Sequence, residues 1–145
     1  MKAALAANSV QFAIKGIAVQ TKSTLGDGQD DVKETPEGDA QAITLAVSNL
    51  LENALDFAPA QSTVTIRIGA RSISVHDQGL GVPDYALPHL GERFFTPPRP
   101  NGQRSGSGLG LAIVRQIMAL HGGTLRIRNA GGLFAEMLFQ APTAN

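Results

Sequence analysis

The stretch "NLLENALDF", Asn49 to Phe57, sets a narrow polar stripe into a helical pattern. At about 100° per residue, Asn49, Glu52, Asn53 and Asp56 fall within about 100° of arc. Ile43, Val47, Leu50, Leu51, Ala54 and Leu55 take the opposite side. One reading is an ordinary amphipathic helix with a solvated face. The composition of the stripe argues otherwise, because two asparagines are mediocre helix formers with no propensity reason to be there. An Asn carbonyl is a neutral oxygen ligand suited to Mg²⁺ when phosphates supply the remaining charge. Glu52, one position earlier, is a carboxylate able to accept a proton or orient a nucleophile. The helix is expected to start at a cap on Asp39 and to close before Pro59.

Around this helix lies a chain of 145 residues, 43% hydrophobic and 17% charged, a composition that suits one soluble globular domain with a single core. Its 12 basic and 12 acidic residues cancel, so no overall field argues for nucleic acid or an anionic membrane. With no cysteine, disulfides and thiolate metal sites are excluded, and a cytosolic setting is allowed. No apolar run reaches the roughly 18 residues of a membrane span, and no signal-peptide pattern stands at Met1.

Toward the N-terminus, "SVQFAIKGIAV" (Ser9 to Val19) is rich in β-formers and predicts a strand, interrupted at Gly16; Thr21 to Asp39 reads as a polar loop. "STVTIRIG" and "SISVHD" alternate as strands around Gly69-Ala70-Arg71. The run from Gln78 to Ser107 is glycine-rich and carries Pro83, Pro88, Pro97, Pro98 and Pro100, the pattern of a functional lid or a disordered loop. A second helix is expected from about Leu109 to Leu120, closed by Gly122-Gly123, and a last hairpin turns at Ala130-Gly131-Gly132. Hairpins dominate, so an α+β two-layer sandwich is expected over a doubly wound parallel sheet.

Two further stretches carry chemistry. "VHDQGLGVPD" (Val75 to Asp84) begins as a strand and turns at Asp77. It is either a plain strand-end turn or an acceptor for an exocyclic amine, with Gly79 and Gly81 admitting a flat base. "SGSGLGLAIV" (Ser105 to Val114) fits neither G-x-G-x-x-G nor a Walker loop. It does end at a helix N-terminus, where free N–H groups and the helix dipole favour phosphate. Together the asparagine, the aspartate and the glycine cradle specify Mg-ATP better than any one does.

In order along the chain, "NLLENALDF", "DQGLG", "ERFF" and "GSGLGLAIV" resemble the N, G1, F and G2 boxes of the catalytic, ATP-binding domain of sensor histidine kinases. That domain belongs to the superfamily that also contains Hsp90, the MutL proteins and type II topoisomerases, and among subfamilies the chain looks most like the CreC type. The resemblance covers about Pro36 to Phe139. It implies a Bergerat-type sandwich, a mostly antiparallel sheet with helices on one face and a mobile lid over ATP. It also implies roles by position. Asn53 would hold Mg²⁺, Asn49 would lie near the phosphates, and Glu52 would polarise the incoming histidine. Phe57 would flank the adenine and Asp77 would take its amino group, with Gly79 and Gly81 shaping the base pocket. Gly106, Gly108, Gly110 and Leu111 would wrap the phosphates, and Arg93 is a candidate phosphate contact.

The chain departs from the family pattern at three positions. Asp56 stands where the N box usually has a cation, and Arg93, Arg99 or Arg104 is the expected compensation. Gly91 replaces a bulky F-box residue, and Ser105 replaces a G2-box glycine, both bearing on how the lid packs. His76, His89 and His121 lie outside any phosphoacceptor-type helix and are expected in structural or surface roles. The whole chain, 1–145, is therefore expected to be one catalytic domain, monomeric in isolation and unable to phosphorylate itself. Its implied partner is a dimerisation and phosphoacceptor domain of the same parent protein, and indirectly a response regulator, with this domain expected to be the cytoplasmic part of an inner-membrane sensor. A nucleotide-binding module without catalysis and an anti-sigma-type serine kinase are the rival readings.

Overall fold

The computed structural model describes residues 2–23, 40–95 and 109–139. Helix α1 (Lys2–Lys15) leads into strand β1 (Ala18–Ser23), and α2 (Ala40–Phe57) is followed by the hairpin β2 (Thr63–Ile68) and β3 (Ser72–His76). A short 3-10 turn, Leu87–His89, precedes α3 (Gly110–Leu120) and the closing hairpin β4 (Thr124–Asn129) and β5 (Leu133–Leu138). The strands form one sheet in the order β1-β2-β3-β5-β4, with only β1 and β2 parallel. A parallel pair needs a crossover, and the chain between β1 and β2 supplies it through α2.

Alternation along the strands decides which face the helices cover. Val64 and Ile66 of β2 and Leu133, Ala135 and Met137 of β5 are buried, whereas Thr65, Arg67, Phe134 and Glu136 point to the open face. The buried side meets Ala46, Val47, Leu50, Leu51 and Ala54 of α2 and Val114, Ile117 and Met118 of α3 in one core. This is the expected α+β two-layer sandwich. A second cluster, Phe57, Val82, Ala86, Leu90 and Leu133, anchors the loop after β3 to the end of α2. No described helix is long and apolar enough to cross a membrane.

The N-terminal strand expected over Ser9 to Val19 is a helix instead, and β1 begins only at Ala18, reaching Ser23 inside the segment read as loop. Burial gives the reason. Ala4, Asn8 and Phe12 recur every fourth residue and are 1%, 4% and 3% exposed, while the β-branched Val10 and Ile14 are 64% and 81% exposed. Packing at helical spacing outweighs the β propensity of Val10 and Ile14, whose exposed side chains gain nothing from a strand's buried face. Asn8 fastens this face by donating from Nδ2 to the Ala4 carbonyl at 2.9 Å and to Ser48 Oγ of α2 at 3.1 Å. The helix stops at Gly16, the position where the sequence pattern also breaks.

Phe12→Ala should therefore cost about 3–5 kcal/mol in chemical denaturation, and Ile14→Ala less than about 0.5 kcal/mol. Comparable losses at both positions would fit a strand and contradict the helix.

Candidate functional site

One end of the site is built by β3 and β5 at the C-terminus of α2. Asp77 follows β3 and is 1% exposed. Its Oδ1 accepts from the backbone N–H of Gly79 at 2.8 Å and of Leu133 at 3.0 Å. Both bonds land on one oxygen, and among the described residues Oδ2 has no hydrogen-bond partner. Two glycines make this geometry possible. A Cβ on Gly79 would stand 2.5 Å from the Phe57 carbonyl, and one on Gly132, at φ +126°, would overlap the Asp77 backbone. Beyond Gly81, Asn129 accepts from Val82 N–H at 3.0 Å and donates to Val82 C=O at 2.7 Å, tying the loop to β4. Gln78 Oε1 accepts from Thr63 N–H at 2.9 Å and fixes the same turn to β2.

Burial pushes the Asp77 carboxyl above its ordinary 3.8, while hydrogen bonds from Leu133 and Gly79 and the nearby His76 and Lys15 pull it down less strongly. This leaves a carboxyl whose burial outweighs the hydrogen bonds and nearby charges that act on it, the state in which one good donor from a ligand is worth most.

The other end lies at α3. Asn49, Asn53 and Asp56 are half-buried along α2 and Glu52 is exposed. The Asn49 side chain lies against Gly110, the first residue of α3, with Oδ1 at 3.6 Å from where a Cβ would be. Its Nδ2 is buried and has no hydrogen-bond partner among the described residues. The N-terminus of α3 has no side-chain cap and no acidic residue in its first turn. A helix N-terminus, whose first N–H groups have no partner within the helix, and an amide donor unpaired among the described residues thus lie side by side, an arrangement that fits the oxygens of a phosphate. From Asn49 to Phe57 along α2 the rise is about 12 Å, a span suited to an extended nucleoside triphosphate. Asn53, midway, offers a carbonyl oxygen suited to a hard cation held chiefly by phosphates. Among the described residues no cluster of three or more His, Asp or Glu could hold a metal alone.

Not every expected residue converges. Phe57 is 3% exposed and packs into the second cluster, so what it offers the base end is mainly its backbone carbonyl beside Gly79. Leu111 touches both clusters from the first turn of α3. Arg93 is exposed on the loop after the 3-10 turn. Gly106, Gly108, Arg99, Arg104 and Ser105 lie outside the described residues. Gly91 has a local reason: at φ +92° it makes room for the Arg115 guanidinium of α3, whose Nε would be 3.0 Å from a Cβ there. The histidines take structural or surface places. His76 Nε2 meets the Ala130 carbonyl at 2.7 Å, His121 Nδ1 meets the Ile117 carbonyl at 2.7 Å, and His89 pairs on the surface with Glu92. Sequence reasoning missed Asn129, Gln78 and Gly132; only the glycine pair in the last turn gave a signal, and it was read as a hairpin alone.

Residues 38–144 match the family described as histidine kinase-, DNA gyrase B-, and HSP90-like ATPase. The chain belongs to this family. It is similar to the sensor protein QseC of Salmonella typhi, 48% identical over 94 residues that cover 64% of this chain and 20% of that protein. With the sensor protein CreC of Escherichia coli K12 it shares 43% identity over 98 residues, 63% of this chain and 20% of that one. The chain thus spans about a fifth of the length of the curated relatives it matches. Among solved structures, the mycobacterial sensor histidine kinase MprB superposes with a TM-score of 0.72 at 27% identity, covering 95% of this chain and 93% of that one. The catalytic domain of histidine kinase ThkA shares the fold, with a TM-score of 0.78 at 22% identity over 95% of this chain and 89% of its own. The family member described here is an ATP-binding domain of the sensor histidine kinase kind.

A carboxyl whose folded pKa is raised contributes stability that is full below its unfolded value, near 3.8, and is lost as pH rises through the folded value. Asp77→Asn removes that dependence. In nucleotide-free denaturation, the stability of Asp77→Asn relative to the natural chain should therefore rise from acid toward neutral pH, and a flat difference would mean the carboxyl is not desolvated.

Proposed function

We propose that this domain transfers the γ-phosphoryl group of ATP to a histidine on a dimerisation and phosphoacceptor domain of the same parent protein, acting in a two-component relay. The observation that carries the reading is the buried Asn49 amide, unpaired among the described residues, beside the first turn of α3, because a donor left in that state calls for an anionic ligand. Asp77 Oδ2 accepts from the adenine amino group, and Gly79 and Gly81 give the base its room. Asn49, Gly110 and the first turn of α3 receive phosphate oxygens, with Gly106, Gly108 and Arg93 contributing as the lid closes. Asn53 would hold Mg²⁺ through its side-chain carbonyl oxygen. When bound, the ion neutralises charge on the phosphoryl oxygens.

Glu52 is exposed at the mouth of the stripe, where a side chain from another domain can reach it. It accepts the proton from the N–H of the histidine ring's other nitrogen, polarising the imidazole as the lone-pair nitrogen forms the new P–N bond and the P–O bond to ADP breaks. The rest of catalysis is positioning and charge stabilisation. The partner histidine comes from outside residues 1–145, which are read as one catalytic domain, and the receiver of the phosphoryl group is a response regulator. One similar structure is described as the cytoplasmic segment of histidine kinase QseC, which supports a cytoplasmic setting for this domain too.

Mixing the chain with ATP, Mg²⁺ and a separate phosphoacceptor domain tests the reading. Glu52→Gln should keep ATP affinity while slowing transfer by about 10²–10⁴-fold, and Asn53→Ala should lose the Mg²⁺-dependent part of binding in calorimetry. The product should be an acid-labile phosphohistidine. Acid-stable phosphoserine would favour the serine-kinase alternative, and transfer indifferent to Glu52→Gln would remove its assigned role.

A further inference from the structure

Helix α2 ends without a cation of its own. Its last turn carries Asp56 and no basic residue, although the final carbonyls of a helix are both unpaired and at the negative end of the dipole. The missing charge arrives from α1. Lys15, the last residue of that helix, donates from Nζ to the Leu55 carbonyl at 2.6 Å. Its own backbone carbonyl accepts from Gln61 N–H at 3.2 Å. Lys15 therefore grips the α2–β2 connection on both sides, and the residues between those two points include Phe57, whose carbonyl lies against Gly79. The clamp sits behind the turn that presents Asp77.

We infer that Lys15 is a positioning residue for nucleotide binding, holding the α2 terminus against the turn that carries Asp77. The inference rests on the reading of Asp77 as the adenine acceptor. Among the described residues, the charged or titratable groups acting on Asp77 are His76 from β3 and Lys15 from α1, both favouring the charged form against burial. His76 is tied by its Nε2 to Ala130 C=O, whereas Lys15 reaches across from a different element, α1. A residue in the N-terminal helix thereby acts on a site built by α2, β3 and β5, so a displacement of α1 would be felt as a change in ATP affinity.

The test compares the natural chain with Lys15→Met, Lys15→Arg and Asp77→Asn. The side-chain carboxyl carbon of Asp77 is titrated by NMR without nucleotide, and ATP binding is measured by calorimetry across the same pH range. Lys15→Met should move the Asp77 titration to higher pH and weaken ATP binding near neutrality by roughly two- to fivefold. Lys15→Arg should keep both, since it can donate to the same carbonyl. If Lys15→Met lowers only the unfolding midpoint and leaves the titration and ATP affinity unchanged, Lys15 is a structural clamp and the inference fails. A shifted titration with unchanged ATP affinity also overturns it. Equal ATP affinity in Asp77→Asn and the natural chain would instead overturn the base-acceptor reading, and the role of Lys15 in affinity with it.

Discussion

Everything at the base end depends on two backbone N–H groups meeting one carboxylate oxygen. Gly79 and Leu133, from segments 54 residues apart, both donate to Asp77 Oδ1 and so fix the rotamer of a side chain that burial would otherwise expel. The energy of those bonds does not cancel the desolvation of the charge, and the carboxyl stays raised. That imbalance is what a ligand can use. A donor arriving at Oδ2 completes the solvation of a group already buried, so recognition costs little further reorganisation.

The same α2 helix serves both ends. Its apolar side is sealed into the core by Ala46, Val47, Leu50, Leu51 and Ala54, which sets the rotation of the opposite stripe. Asn49 is then delivered to the N-terminus of α3, and Phe57 to the turn at Gly79. Because the helix is rigid, the distance between the Asp77 turn and the N-terminus of α3 is set by the rise of the helix itself. Leu111, packed against both clusters, couples the first turn of α3 to the loop after β3. Binding at one end is thus held in register with the other by packing and not by flexible loops.

Much of this was legible in the sequence. The stripe on α2, both hairpins and the second helix follow from periodicity and turn residues, and four ordered motifs identified the family. The N-terminal helix was not legible, because Val10, Phe12 and Ile14 alternate as a strand would while only Phe12 is buried. What decides between the two periods is contact with α2, through Asn8 and Phe12, and a single sequence does not display it. Gly132 and Asn129 escaped for a similar reason: each acts on a residue about 50 positions away, with no local pattern to mark it. Gly91 looked like a defect in lid packing and is instead matched to Arg115.

The most direct test of the account is a calorimetric comparison of ATP with inosine triphosphate, in which a carbonyl oxygen replaces the 6-amino group. With Asp77 Oδ2 as the acceptor, the natural chain should prefer ATP by at least about tenfold. In Asp77→Asn the amide oxygen stays on the Gly79 and Leu133 N–H groups and the NH₂ faces the base, so the preference should narrow or reverse. Equal affinity for the two nucleotides in the natural chain would contradict the account, because Asp77 would then not be reading the base.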